Sequence, residues 1–121
     1  MHGLSEPQLT IVEEAARLTR EKIAPRAAHY DREALNPVES WRDLWKAGFL
    51  AMAIPKESGG MGVDMPTYVA ILQTIAGGCA STAMTVHMHS TVMRFIDALG
   101  TEAQKQRYYA EVIERGKLFG S

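Results

Sequence analysis

Apolar residues recur along this chain at helical rather than strand spacing. Leu9, Val12, Ala16 and Ile23 follow the period of a helix, and Ile11, Ala15 and Leu18 widen the stripe. Ser5-Glu6-Pro7-Gln8, just ahead of them, reads as a capping box with a proline inside the first turn. Pro25 lacks a backbone donor and its ring crowds the carbonyl four residues earlier, which predicts an end or a kink there. Residues 26–35 can continue helically beyond it. Asn36-Pro37-Val38-Glu39 is a second start signal, with Asn36 as cap and proline at the first helical position. Val38, Trp41, Leu44 and Trp45 form its apolar face, and Gly48 is a natural stop.

An irregular stretch follows over 49–63, because Pro55, Gly59, Gly60 and Gly62 forbid a long regular element. Asp64 caps the next helix, with Met65, Val69, Leu72 and Ala76 expected inward and Gly77-Gly78 expected to break it. A longer helix is expected over 81–99. Its only formal charges are Arg94 and Asp97, so it is expected at the centre of the fold. Thr101-Glu102-Ala103-Gln104 is another capping box; it opens a helix with Tyr109, Val112 and Ile113 inward and Gly116 as its stop. The pattern predicts an all-α domain of five to six helices spanning residues 1–121. The apolar end, Lys117-Leu118-Phe119-Gly120-Ser121, reads as the start of a strand entering a further domain, or else as a short docked tail.

Composition narrows the function classes. With 121 residues, 46% hydrophobic and 22% charged, the chain has the profile of one globular domain. Thirteen basic residues against fourteen acidic ones leave a net charge of -1, which argues against a nucleic-acid binder. No apolar run approaches a membrane span of about 18 residues, so no membrane insertion is expected. Glu6, Glu13 and Glu14 near the start fit neither a signal peptide nor a transit peptide. The single Cys79 allows no internal disulfide and suits a reducing compartment, so a cytoplasmic location is expected.

Few residues suggest chemistry on their own. His87 and His89 form an H-x-H pattern, but residues two apart on a helix point to nearly opposite faces, which disfavours a shared metal. One core histidine and one outward or pocket-facing histidine is the expected arrangement. Gly59-Gly60-Met61-Gly62 lacks the spacing of a phosphate cradle and reads as a loop needing positive φ. Cys79 has no basic neighbour in sequence to lower its pKa, which predicts a buried, inert thiol. Ser81 and Ser90 have no local acid–base context, and Glu13, Glu14 and Glu57 read as solvated carboxylates. Met84, Met88 and Met93 suit either a core or an adaptable apolar pocket wall, and periodicity does not separate the two.

Four segments, in this order and spacing, resemble the N-terminal helical domain of acyl-CoA dehydrogenases. They are Ile23-Ala24-Pro25-Arg26-Ala27 with Tyr30-Asp31-Arg32; Trp45-Lys46-Ala47-Gly48-Phe49 with the stretch from Ile54-Pro55-Lys56 to Gly59-Gly60-Met61-Gly62; Ala80-Ser81-Thr82-Ala83; and Leu99-Gly100-Thr101-Glu102-Ala103-Gln104-Lys105-Gln106-Arg107-Tyr108. The resemblance implies a helical N-terminal domain that is followed, in the family, by a β-domain and a C-terminal helical bundle, both missing here. Residues 117–121 would then lead into the β-domain. It also implies an FAD enzyme that removes hydrogens from the α and β carbons of an acyl thioester. Flavin contacts and the catalytic carboxylate lie in the other two domains, so no catalytic residue and no bound cofactor is expected for this chain alone. The family's acyl pocket is lined near the start of the fourth predicted helix. Carried onto this chain, that implies Ala83, Met84, His87, Met88 and Thr91, with His87 setting the depth of the pocket.

The same resemblance implies an acyl-CoA substrate and a homo-oligomer. Two departures stand out. The third predicted helix reads Gln73-Thr74-Ile75-Ala76 where the family often carries paired acids, and Val86-His87-Met88-His89 resembles same-fold flavin monooxygenases. A monooxygenase domain and a stand-alone helical association module therefore remain as alternative readings.

Overall fold

The structure, a computed structural model, describes residues 3–120. It is all-helical, with no strand among the described residues. Helix α1 is Glu6–Leu18, α2 Ala24–Glu33, α3 Val38–Lys46, α4 Met65–Gly78, α5 Ala80–Leu99 and α6 Glu102–Arg115. Short 3-10 turns at Phe49–Ala51 and Lys56–Ser58 punctuate the segment between α3 and α4. Three of the starts follow the predicted caps. Ser5 and Thr101 each form a complete capping box with the glutamine three residues on, and Asp64 accepts the Thr67 N–H at 3.0 Å.

Pro25 neither ends the first helix nor leaves it α-helical. Thr19–Ile23 winds as a π-helix, and the Ala24 N–H reaches back to the Thr19 carbonyl. The wider turn accommodates a proline that regular i→i−4 winding would exclude, so α1 runs on into α2. Helix α2 closes at Ala34, a non-glycine residue with φ of 53°. Helix α3 starts one residue later than predicted. The buried Pro37 occupies its cap position without a side-chain bond, and Asn36 offers only its carbonyl to the Val38 N–H.

The pair Gly77-Gly78 does not break α4. Gly78 permits a close crossing instead: a Cβ there would lie 2.3 Å from Thr19 Cγ2 and 3.1 Å from Ala24 Cβ. Helix α4 therefore leans on the π turn and stops only at Cys79, whose backbone is extended. Its inner face also differs from the expectation. Thr67, Tyr68, Ala70, Ile71 and Ile75 are buried, whereas Met65 and Val69 are exposed. This helix is apolar around most of its circumference, so its period offered two stripes and packing chose the other one.

The irregular segment 49–63 supplies much of the core. Phe49, Leu50, Met52 and Ile54 are fully buried beside Leu44, Ile71, Val86, Met93 and Val112. Each such side chain stabilises the fold by about 1.5–3 kcal/mol relative to exposure. Trp45 Nε1–H donates to the Ile113 carbonyl at 2.9 Å, and Trp41 Nε1–H to Thr85 Oγ1 at 2.8 Å, so α3 is tied to both α6 and α5. Gly116 ends α6 with φ of +68°, and a Cβ there would meet the Trp45 indole at 2.6 Å.

Residues 117–120 have neither helical nor strand structure, and they dock on α5. Ser121, the last residue of the predicted strand lead-in, lies outside the described residues.

Candidate functional site

Helix α5 is two-faced rather than wholly central. Thr82, Ala83, Val86, His89, Ser90 and Met93 are buried, while Met84, Met88, Phe95 and Leu99 stay exposed. The exposed four fall on one stripe of the helix surface, in agreement with helical spacing. Met84 is 59% exposed and Leu99 82%, so the stripe lies open along its length. Val69 and Met65 of α4 are also exposed.

The sequence-predicted site residues divide across these two faces. Met84, His87 and Met88 are exposed and Thr91 is half-buried, all along the open side, whereas Ala83 is buried. Thr91 Oγ1 donates to the His87 carbonyl at 2.9 Å. Tyr68 of α4 was not anticipated: its hydroxyl lies 2.7 Å from His87 Nδ1. The Arg94 guanidinium sits 4.7 Å from the Tyr68 ring centroid. Burial pushes the Tyr68 phenol up, so the hydroxyl keeps its proton. No local spacing could reveal this partnership, since Tyr68 and His87 are 19 residues apart on different helices. Phe95 and Leu99, by contrast, continue the stripe begun by Met84 and Met88 and were open to a longer reading of the same period.

His89 is the core histidine. It is fully buried, and its Nδ1 accepts the Phe119 N–H at 3.0 Å. Its proton is therefore on Nε2, which donates to the Leu50 carbonyl at 2.8 Å. The Phe119 ring stacks over the imidazole with an interplanar angle of 12°. Burial holds the pKa of this ring below the ordinary value of 6.5. His87 and His89 thus serve different neighbours on opposite sides of α5. Cys79 is buried, and its sulfur accepts from Thr82 Oγ1 at 3.1 Å.

The glycine loop does not suit a flavin phosphate. Its N–H groups are already used: Gly59 donates to Lys56 O, Gly60 to Pro55 O, Met61 to Ala51 O and Gly62 to Ile54 O, all within 3.0 Å. Gly59 and Gly62 have positive φ, as anticipated, and a Cβ on Gly60 would lie 2.1 Å from the Ile54 carbonyl. The loop is built to pack on itself rather than to cradle an anion. A cleft of about 580 Å³ lies between the Lys56–Ser58 turn and α6. Glu57, Glu102, Lys105 and Glu114 line it, and so much charge is unsuited to an acyl chain. Among the described residues no three His, Cys, Asp or Glu side chains converge as metal ligands, and no helix is long and apolar enough to cross a membrane.

Comparison with known proteins gives this geometry a context. The family described as "Acyl-CoA dehydrogenase, N-terminal domain" matches residues 5–115. Cyclohex-1-ene-1-carbonyl-CoA dehydrogenase of Syntrophus aciditrophicus (strain SB) is 34% identical over 98% of this chain and 28% of its own length. Mitochondrial isobutyryl-CoA dehydrogenase of Bos taurus is 30% identical over 87% of this chain and 25% of its own. A chain in a structural study of the electron transferring flavoprotein of Acidaminococcus fermentans, concerned with flavin-based electron bifurcation, superposes with a TM-score of 0.85. It is 27% identical, over 98% of this chain and 31% of that one. The chain therefore spans under a third of the length of these relatives.

Proposed function

This chain belongs to the acyl-CoA dehydrogenase family, as an N-terminal domain of that family, and from that premise we propose that it forms one wall of the acyl pocket of an FAD-dependent dehydrogenase of acyl thioesters. The observation that carries the reading is the open stripe of α5. Met84 and Met88 stand exposed on a helix whose other face is packed, and flexible thioethers make an adaptable apolar lining. His87 and Thr91 lie along the same side, and buried Ala83 supports it from behind. The relatives named above are dehydrogenases of CoA thioesters, which favours this reading over a flavin monooxygenase or a free association module.

Bound FAD would supply the acceptor for the hydride lost by the acyl group. As the family resemblance implies, its site and the catalytic base would belong to other segments; the glycine loop here has no N–H left to offer a phosphate. What this chain contributes is shape and exclusion of water along the acyl tail. We also propose a homo-oligomeric assembly and a cytoplasmic location; the free, buried Cys79 is consistent with a reducing compartment.

The test compares the 121-residue chain with the product of its complete gene. The complete protein is expected to bind FAD and to lose its oxidised flavin absorbance when an acyl-CoA is added without oxygen. The chain alone is expected to do neither. Flavin-dependent acyl-CoA oxidation by the isolated chain would overturn the division of labour proposed here. An intact flavoprotein that leaves every acyl-CoA unchanged would overturn the function.

A further inference from the structure

One polar group, the His87 imidazole, interrupts the apolar stripe. The Tyr68 hydroxyl lies 2.7 Å from His87 Nδ1, and the buried Ser90 hydroxyl beside it lowers the phenol pKa as a hydrogen-bond donor does. With the Ser90 hydroxyl donating to the phenol oxygen, the Tyr68 O–H donates to Nδ1. An imidazole that accepts at Nδ1 carries its proton on Nε2. The two nitrogens point to opposite sides of the ring. Because Nδ1 is turned toward the buried Tyr68 of α4, the Nε2–H is turned away from it, on the side where His87 is exposed. Met84 and Met88 beside it offer only weakly accepting sulfurs. The proton of the Thr91 hydroxyl is committed to the His87 carbonyl.

We propose that His87 makes this wall select acyl groups bearing an oxygen acceptor on their distal carbons, with Tyr68 as the positioning residue that fixes the donor. The inference rests on the acyl-wall reading above and adds the substrate class to it. A plain hydrocarbon tail would bury the Nε2–H without a partner, and a site built to donate a hydrogen bond discriminates against the analogue that lacks the acceptor. Arg94 stands over the Tyr68 ring on the same side of α5 and brings positive charge near the donor. Among keto, hydroxyl and carboxylate acceptors, that charge favours the carboxylate.

The complete flavoprotein should be assayed with matched acyl-CoA thioesters of equal chain length, one plain, one ending in a keto group and one in a carboxylate. The kcat/KM ratio of acceptor-bearing to plain substrate is expected to exceed one. It should fall about tenfold in His87→Leu, the worth of one hydrogen bond, and be restored in His87→Gln, whose amide N–H reaches the place of Nε2. Tyr68→Phe should lower the same ratio, chiefly through KM. A preference for the plain thioester, or a ratio unmoved by His87→Leu, overturns the inference and leaves the dehydrogenase function intact. Failure to oxidise any of the three overturns the function itself. Nitrogen-15 NMR of the 121-residue chain tests the geometry without an assay. Protonated Nε2 and bare Nδ1 on His87 are expected, and the opposite tautomer overturns the donor assignment.

Discussion

His89 ties three parts of the molecule together through one ring, and the tie depends on its protonation state. Nδ1 must be bare to receive the Phe119 N–H, and Nε2 must carry the proton for Leu50. The groups around it are the uncharged 49–51 turn, Phe119, and Tyr108 of α6 against Phe119, with Arg107 over the Tyr108 ring. Among the described residues no carboxylate acts on this ring, and burial sets the direction of the shift. Because the folded pKa lies below 6.5, the unfolded or undocked ring takes up a proton first as pH falls. Stability contributed at this site is therefore complete above about pH 6.5, declines below it, and levels off once the docked ring itself is protonated. Amide exchange at Phe119 should accelerate, beyond its intrinsic rate, by about tenfold per pH unit in that window. His89→Asn keeps an acceptor near the Nδ1 position and should abolish the pH dependence. His89→Gln keeps only the Leu50 bond and should leave Phe119 unprotected at every pH. The opposed orientation of the two histidines was legible from their spacing alone. Their partners were not: Leu50 and Phe119 lie 39 and 30 residues away, and tertiary packing alone brings them to the ring.

At the level of elements, two adjacent glycines should respond to the same substitution with opposite signs. A Cβ on Gly77 meets nothing within 4 Å, whereas one on Gly78 strikes Thr19 in the π turn. Gly77→Ala should stabilise the chain by about 0.4–1 kcal/mol, through the reduced entropy of the unfolded state. Gly78→Ala should destabilise it by about 1–3 kcal/mol, through overpacking against the π turn and α2. Urea unfolding of the two variants beside the parent chain measures both, and a shared sign would contradict the crossing described here. By propensity alone the glycine pair predicts a break, because glycine lowers helix stability. The close crossing that repays the pair is invisible without the neighbouring helix. The same limit explains α4, whose apolar circumference concealed which stripe faces inward. Where chemistry was local, as at the caps of α1, α4 and α6, residue pattern and structure agree to within a residue. Asn36 fails as a cap only because Pro37 displaces it by one position.

Taken whole, the molecule packs its core residues within and leaves a stripe of large apolar side chains open along α5. That division was half legible: the sequence marked α5 as apolar on all sides, but only the fold separates the face that built the core from the face left over. It has a chemical consequence, because methionine sulfur is oxidised where peroxide can reach it. Met52 and Met93 are wholly shielded, while Met65, Met84 and Met88 are not. Brief peroxide treatment followed by peptide mass mapping should find sulfoxide at the latter three before either of the former. An early sulfoxide at Met52 or Met93 would contradict their enclosure. Each sulfoxide on Met84 or Met88 would place a strongly polar oxygen where an acyl tail is proposed to lie. The flexibility that suits these residues to the wall also leaves it vulnerable, and methionine sulfoxide reduction is the repair that would restore it.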